Sequence, residues 1–418
     1  MDVHRDFCEV AIADRGKITQ SGRVLTTPAA LELFAASLAP TDRVALEATG
    51  NAAEIARIIG PHVACVVVVS PHDTAVGRAR AKTDRLDART LARLLAAGEL
   101  DAVWVPDEQT RAMRRRLSQR SQLVRSRTRA KNELHAVLIR RLKGRPPVSD
   151  VFGARGRAWL AALELPDDER DTVSACLRHV DFLDVEVAAV DRAIATQALQ
   201  SPHTLRLMTV PGVSVITAST FIAAIGDIRR FPSARQLVGY LGLDPKVRQS
   251  GSTPARHGRI TKQGSAAVRH VLVEAAWVAI RQPGPLRAFY ERVRARRGAQ
   301  VAAVATARKM ASLFWSLLIR GQDYAFAQPS LTAKKIRALE LATGAPSRKG
   351  QVRAGAGART PAIRHAEHAL ALQAEQAYRR TISDWNAAAP TKAGASVTPG
   401  RASQRPSKGK AARQTTSP

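Results

Sequence analysis

The chain has 418 residues, and 65 lysines and arginines against 35 acidic residues give a formal net charge of +30. That length supplies two or three domains with real cores, and that charge attracts polyanions, nucleic acid first and an anionic membrane surface second. Three scattered cysteines without a CxxC pair exclude a disulfide framework or zinc ribbon and fit a reducing cytoplasm, while 4% aromatic residues leave little for base-stacking platforms.

In chain order, residues 3–13 (VHRDFCEVAIA) predict a strand. A turn at DRGK and a meander of short strands around the Ser-Gly break of KITQSGRVLT follow. A short helix is expected at 31–38, a buried strand at 43–48 (RVALEA) and a helix at 52–59. HVACVVVVSP (62–71) is a β-branched strand stopped by Pro71, of the kind buried on both faces of a mixed sheet. Residues 84–97 predict a helix closed by Gly98. Strands first, then alternating helix and strand, imply an α/β layer with Cys8 and Cys65 in its core.

From 107 to 143 there is no Gly or Pro, and Met113, Leu117, Val124, Leu134, Val137, Leu138 and Leu142 recur at loosely heptad spacing. The other faces carry Arg111, Arg114, Arg115, Arg116, Arg120, Arg125, Arg127, Arg129, Lys131, Arg140 and Arg141 against Glu133. A solvated helix normally mixes signs, so this one is expected to face nucleic acid and can also form a dimer coiled coil. GRPPVSD (144–150) breaks the chain, and 157–200 reads as helical. Next come a helix, a PGV turn and a helix (207–231), a Gly-rich basic loop with an apolar helix (237–280), and helix again over 284–320. Past Thr343 the chain is rich in Ala, Ser, Thr, Pro, Lys and Arg, with one amphipathic stretch near 361–386. The expected divisions are a catalytic domain at 1–106, a basic helical region at 107–200, a mainly helical domain at 201–325 and a basic, largely disordered tail at 344–418. No run of about 18 apolar residues is evident, so no membrane partner is expected.

Four acids stand out by position: Asp2 opens the first strand, Glu47 ends the strand before ATGN, and Asp84 and Asp87 begin the helix after the apolar strand. If the first and fourth strands are neighbours, Asp2 approaches Glu47, and the i, i+3 pair on the helix can point at the same spot. Four gathered carboxylates repel one another unless hard cations neutralise them. Mg²⁺ suits such oxygen ligands, and two ions roughly 4 Å apart can hold the attacking and leaving oxygens of a phosphodiester displacement. The competing explanation for Asp84 and Asp87 is helix capping, with Thr83 as the cap and the dipole favouring acids in the first turn.

MDVHRDF, ALEATGN and KTDRLDART, in this order and spacing, resemble the DEDD domain of the insertion-sequence one-ten family of transposases, also called bridge-RNA-guided recombinases. TVPGVSVITASTFIAAIGDIRRFPSARQLVGYLGLDP, then QSG and GRITKQGSAAVRHVLVEAA, resemble that family's C-terminal domain. The resemblance implies an RNase H-like, RuvC-type fold with Asp2, Glu47, Asp84 and Asp87 as the metal-binding tetrad. It also implies a serine nucleophile just before a glycine, matched here by Ser250, with Ser252 as the near neighbour. A structured guide RNA, DNA at the element ends and target, and a homodimer or homotetramer pairing one subunit's tetrad with another's Ser250 are further implications. Lys246, Arg248, Arg256, Arg259, Lys262 and Arg269 are the expected phosphate contacts around that serine.

The PGV turn resembles a helix-hairpin-helix, but its usual second glycine is Ser214, which leaves a phosphate cradle and a purely structural turn both open. The family's first aspartate normally follows several apolar residues inside its strand; here it is residue 2, so either a shortened strand beside the metal site or an upstream start is expected. Two other functions compete with the transposase: a RuvC-like junction nuclease that hydrolyses with water, and a non-catalytic nucleic-acid-binding protein.

Overall fold

The computed structural model describes residues 1–70, 83–251, 253–346 and 360–388. Pro71, Ser252 and the tail from 389 onward lie outside the described residues. The chain divides into two compact units, Met1–Gln119 and Arg120–Pro418.

The first unit opens with β1 (Asp2–Val3) antiparallel to β2 (Phe7–Asp14), Asp2 facing Glu9 and Val3 facing Cys8. The sequence suggested one strand over 3–13. The chain instead folds back at the polar HRD segment, where His4 N–H donates to the Phe7 carbonyl at 2.9 Å. Residues opposite one another in a pair share a face, so the reversal brings Glu9 beside Asp2. β3 (Lys17–Leu25) pairs along β2 as one strand rather than a meander. Its Ser-Gly break is a bulge: the register slips at Val10/Ala11, opposite Gly22, whose φ of +98° a side chain would strain.

After α1 (Pro28–Ala36), β4 (Arg43–Glu47) and β5 (Cys65–Val69) pair in parallel, joined through α2 (Ala52–Ile59). Parallel neighbours need such a crossover. The Met1 ammonium donates to the Ala45 carbonyl at 2.7 Å, setting β1 beside β4. The sheet edges therefore follow the order β3-β2-β1, then β4-β5. Cys8, Val10, Leu31, Ala35, Val44, Leu46, Ile55, Ile59 and Val68 pack the core beneath. Cys8 is fully buried there, whereas Cys65 is exposed at the start of β5, outside the core position expected for it. α3 (Asp84–Ala97) lies on β2; Thr83 caps its first turn and Gly98, at φ +71°, closes it. α4 (Glu108–Arg140) runs across the division between the units.

The second unit is mostly helical: α5 (Ala154–Ala162), α6 (Asp167–Leu199), α7 (Pro202–Met208), α8 (Val215–Ile225), α9 (Ala234–Tyr240), α10 (Ala266–Ala279), α11 (Pro285–Arg297), α12 (Ala299–Arg320), α13 (Pro329–Ala342) and α14 (Pro361–Ala388). The segment read as a Gly-rich loop contains an antiparallel hairpin, β6 (Pro245–Arg248) with β7 (Arg256–Ile260). α12 is the central helix, packed by α7, α9, α10 and α11, with Phe314 edge-on to Phe221 at 5.0 Å. Contrary to the sequence reading, α12 is long and apolar enough to cross a membrane. The residues that make it so, among them Ala303, Ala307, Met310 and Phe314, are buried in this protein's own core.

α14 falls inside the segment expected to be a tail, on its amphipathic stretch, and packs on α11 and α13. Its Glu375, buried, accepts from Gly284 N–H at 3.0 Å, Arg287 at 2.8 Å and Arg379 at 2.9 Å. Burial works to raise the Glu375 carboxyl, but those donors outweigh it and hold it below the usual range. A depressed carboxyl stabilises the fold above its unfolded pKa and loses that contribution as pH falls through the folded one. Glu375→Ala is therefore expected to release α14. Hydrogen exchange should show lost protection over 361–388 with α12 unchanged, and the gap from wild type should narrow as pH drops below about 4.

Candidate active site

The Thr83 cap puts Asp84 and Asp87 in the first turn of α3, where the helix dipole favours acids. Capping and site-building are thus served by one piece of backbone. Asp84 is half-exposed and Asp87 is buried. Asp2 is 4% exposed on β1, and His4, two residues on, turns its Nε2 to within 3.1 Å of Asp2 Oδ2 and 3.4 Å of Asp84 Oδ1. Among the described residues, Asp2, His4 and Asp84 form the group whose ligand atoms lie within 4.8 Å of one another. Glu47, at the end of β4, and Asp87 stand outside that group. Burial pushes the Met1 amine down to about 6, against the pull of Cys8, Asp2 and Glu47. The donor set suits a divalent cation: two carboxylates and an imidazole converge, and a buried carboxylate is costly without positive charge beside it.

Sequence reasoning missed two residues here, His4 and Glu9. Glu9, 1% exposed opposite Asp2, accepts from Gln20 at 2.7 Å and Arg23 at 2.8 Å, with Arg85 at 3.5 Å. Arg85 sits between the two aspartates on α3, so Glu9 fastens the helix start to β2. The signal was an acid flanked by Cys8 and Val10 in an apolar strand, legible only once the strand reversal was known.

In the second unit Ser250 is exposed in the turn that follows β6, and its carbonyl accepts from Thr253 N–H at 3.3 Å and Thr253 Oγ1 at 2.5 Å. The hairpin base is a close backbone crossing. A Cβ on Gly242, at φ +68°, would meet Gln263 O at 1.8 Å, and one on Gly264 would meet Tyr240 O at 2.0 Å. Arg269 Nη1 donates across the crossing to Leu241 O, Gln263 O and Gly264 O at 3.0–3.2 Å. This guanidinium ties the hairpin base rather than standing free for the phosphate contact expected of it. Asp244 adds an ion pair to Arg308 of α12 at 2.9 Å.

The hairpin arms carry exposed Lys246, Arg248, Arg256 and Arg259, none in an ion pair among the described residues, and Lys262 follows exposed at φ +61°. Arg248 and Arg256 face each other directly in the register. Like charges opposite one another destabilise a hairpin, an arrangement that a polyanion reverses. Along α4, Arg115 pairs with Glu108, Arg120 with Asp191 and Arg127 with Asp184, each at 2.5 Å. Arg114 lies over Trp104 and Lys131 over Phe152. Arg116 is exposed, and Arg125 and Arg129 share an outer face without an ion pair among the described residues.

The PGV turn is sealed. A Cβ on Gly212 would meet Ala275 O at 2.4 Å, Val210 and Val213 are fully buried, and Ser214 caps α8. Lys335 Nζ donates to Met208 O and Val210 O, and burial pushes it down to about 8. The structural alternative holds for this turn, with α10 filling the space where a phosphate cradle would open.

A mixed α/β unit that gathers acids, followed by a mostly helical unit, has the architecture of a DEDD nuclease-like transposase. Residues 1–140 match an IS110-type DEDD transposase profile, and residues 205–291 match the transposase IS116/IS110/IS902 family, together more than half of the chain. The chain is 36% identical over 220 residues to y4qE of Sinorhizobium fredii, a match covering 51% of this chain and 52% of that protein. It is 27% identical over 345 residues to the transposase for insertion sequence element IS1111A of Coxiella burnetii, covering 78% and 90%. With the transposase for insertion sequence element IS1328 of Yersinia enterocolitica it shares 26% over 292 residues, covering 66% and 84%. The match thus spans about half the length of y4qE and most of the other two. The chain belongs to the IS110-type family of DEDD transposases.

Two measurements probe the hairpin. Arg248→Ala with Arg256→Ala should weaken DNA binding across sequences and reduce the slope of log affinity against log salt by about 1 to 2. The double variant should melt no lower than wild type, because a repulsive pair has been removed. Gly242→Ala should destabilise the second unit by roughly 3 kcal/mol or more in denaturant unfolding, since backbone must move. Gly251→Ala, at φ +57° with open space around it, should lose only about 1–2 kcal/mol.

Proposed function

We propose that this chain is the recombinase of an insertion sequence, cutting and rejoining DNA with a metal-binding carboxylate site in its first unit and Ser250 as nucleophile in its second. The observation that carries this reading is the convergence of Asp2 on β1 and Asp84 at the start of α3, far apart in the first unit's sequence, in a chain of this family. Asp2, Glu47, Asp84 and Asp87 are the residues that would hold the cations, with Asp2 and Asp84 the pair that approach each other across His4. When bound, divalent ions (Mg²⁺ on the oxygen chemistry, two of them by the tetrad reading) would neutralise these acids and favour charge build-up at a phosphodiester.

Ser250 Oγ attacks phosphorus as its proton passes to water, the P–O bond to the displaced strand breaks and that oxygen takes a proton from water to leave as a hydroxyl, so a phosphoserine ester conserves the bond for rejoining. The serine needs that exposed position to reach a duplex. Arg248, Arg256, Arg259 and Lys246 supply the phosphate contacts that hold the backbone in line, and Arg125 and Arg129 of α4 extend the basic track. Specificity in this reading comes from base pairing with a structured RNA of the same element, which suits a basic chain with few aromatics. A homodimer or homotetramer would bring the acids of one subunit to the Ser250 of another.

The test is trapping. Protein with Mg²⁺, its co-purifying RNA and labelled DNA spanning the element ends should give a protease-sensitive protein–DNA adduct on a denaturing gel. Ser250→Ala and Asp84→Asn should each remove it, with cleavage falling by about 10²-fold or more. Cleaved DNA that persists in Ser250→Ala would replace this reading with a hydrolytic nuclease, and binding without cleavage would replace it with a non-catalytic binding protein.

A further inference from the structure

We infer that His4 is a nitrogen ligand of the metal site and tilts it from Mg²⁺ toward first-row transition ions, a refinement that rests on the metal-binding reading above. His4 lies between the two aspartates that approach most closely: its Nε2 is 3.1 Å from Asp2 and 3.4 Å from Asp84. An ion seated among these three groups would meet two carboxylate oxygens and one imidazole nitrogen. Oxygen-only sites suit Mg²⁺, whereas an imidazole favours ions further along the Irving–Williams order.

The position of His4 is built rather than incidental. Its N–H donates to Phe7 O at 2.9 Å, closing the reversal between β1 and β2. Its carbonyl accepts from Asn51 Nδ2 at 3.0 Å, linking it to the turn after Glu47. Its ring packs on Phe7 with centroids 4.9 Å apart. Backbone and ring are therefore held from three directions, leaving the ring nitrogen aimed at the carboxylates. The two backbone bonds fix where the side chain starts, and the ring contact with Phe7 fixes where it points. The ring is also 37% exposed, so the site stays open on that side for water or a phosphate oxygen.

The experiment is metal binding to the full-length protein without nucleic acid, using Co²⁺ alone and Mg²⁺ alone by calorimetry, with Co²⁺ visible absorption as the ligand signature. Wild type, His4→Ala, His4→Gln and Asp84→Asn are compared, with circular dichroism confirming that each is folded. The expected result is that both His4 variants lose at least about tenfold in Co²⁺ affinity, change the Co²⁺ spectrum and keep Mg²⁺ affinity within about threefold. Asp84→Asn should weaken both ions. Wild-type Co²⁺ affinity and spectrum in both His4 variants, with binding weakened in Asp84→Asn, would overturn the ligand role and leave the metal centre intact. Unchanged binding of both ions in Asp84→Asn would instead overturn the metal-centre reading itself.

Discussion

Asp2 is a carboxyl group almost wholly removed from solvent, with the His4 imidazole against it and the Met1 amine nearby, and much of the first unit is arranged around it. A buried ion is tolerated only with compensating charge or hydrogen bonds. His4 sits over Asp2, while the strand reversal sets a second buried acid, Glu9, on the same face, and Arg23 and Arg85 neutralise that one. Arg85 then joins that network to the start of α3, where Asp84 and Asp87 sit. A strand pair, a turn and a helix cap thus converge on one electrostatic problem.

The second unit solves a different one: it holds a charged, exposed hairpin steady. Its arms bear arginines in direct opposition, so little in the hairpin itself favours its formation. Stability comes from below. The interlocked backbones at Gly242 and Gly264, the three carbonyls gathered by Arg269 and the Asp244–Arg308 pair fix the base to α9, α10 and α12. A rigid base under a repulsive arm keeps Lys246, Arg248, Arg256 and Arg259 exposed on a fixed hairpin. The same economy explains the sealed PGV turn, which packs the helices beneath this platform.

Much of this was legible in the residues. The β-branched run at 65–69, the Thr83 cap with Gly98 beyond it, and the Gly- and Pro-free stretch of α4 each predict their element from local chemistry. Strand order predicts Asp2 beside Glu47 and the i, i+3 spacing aims Asp84 and Asp87 at the same spot; the fold gathers Asp2 and Asp84 with His4, while Glu47 and Asp87 stand outside that group. Glu9 was not legible, because an unbroken strand puts residues 2 and 9 on opposite faces and HRD offers only Asp6 as a turn residue; His4 shares the face of Asp2 either way, but nothing local in the sequence brings Asp84 within its reach. Arg269 and the arginines of α4 were legible as charge but not as partners. Their assignments depend on which carbonyls and carboxylates the fold brings within reach.

The sequence by itself determined the basic character, the order of elements and the chemical types available at each end of the chain. These follow from composition, periodicity and capping, all local in sequence. The tertiary structure alone decided which charges are engaged inside the protein and which stand exposed without an ion pair among the described residues. Arg120, Arg127 and Arg269 are engaged internally, whereas Arg125, Arg129, Arg248 and Arg256 carry no ion pair among the described residues. The physical reason is that an arginine's role depends on what lies within about 4 Å of its guanidinium, and those neighbours are distant in sequence.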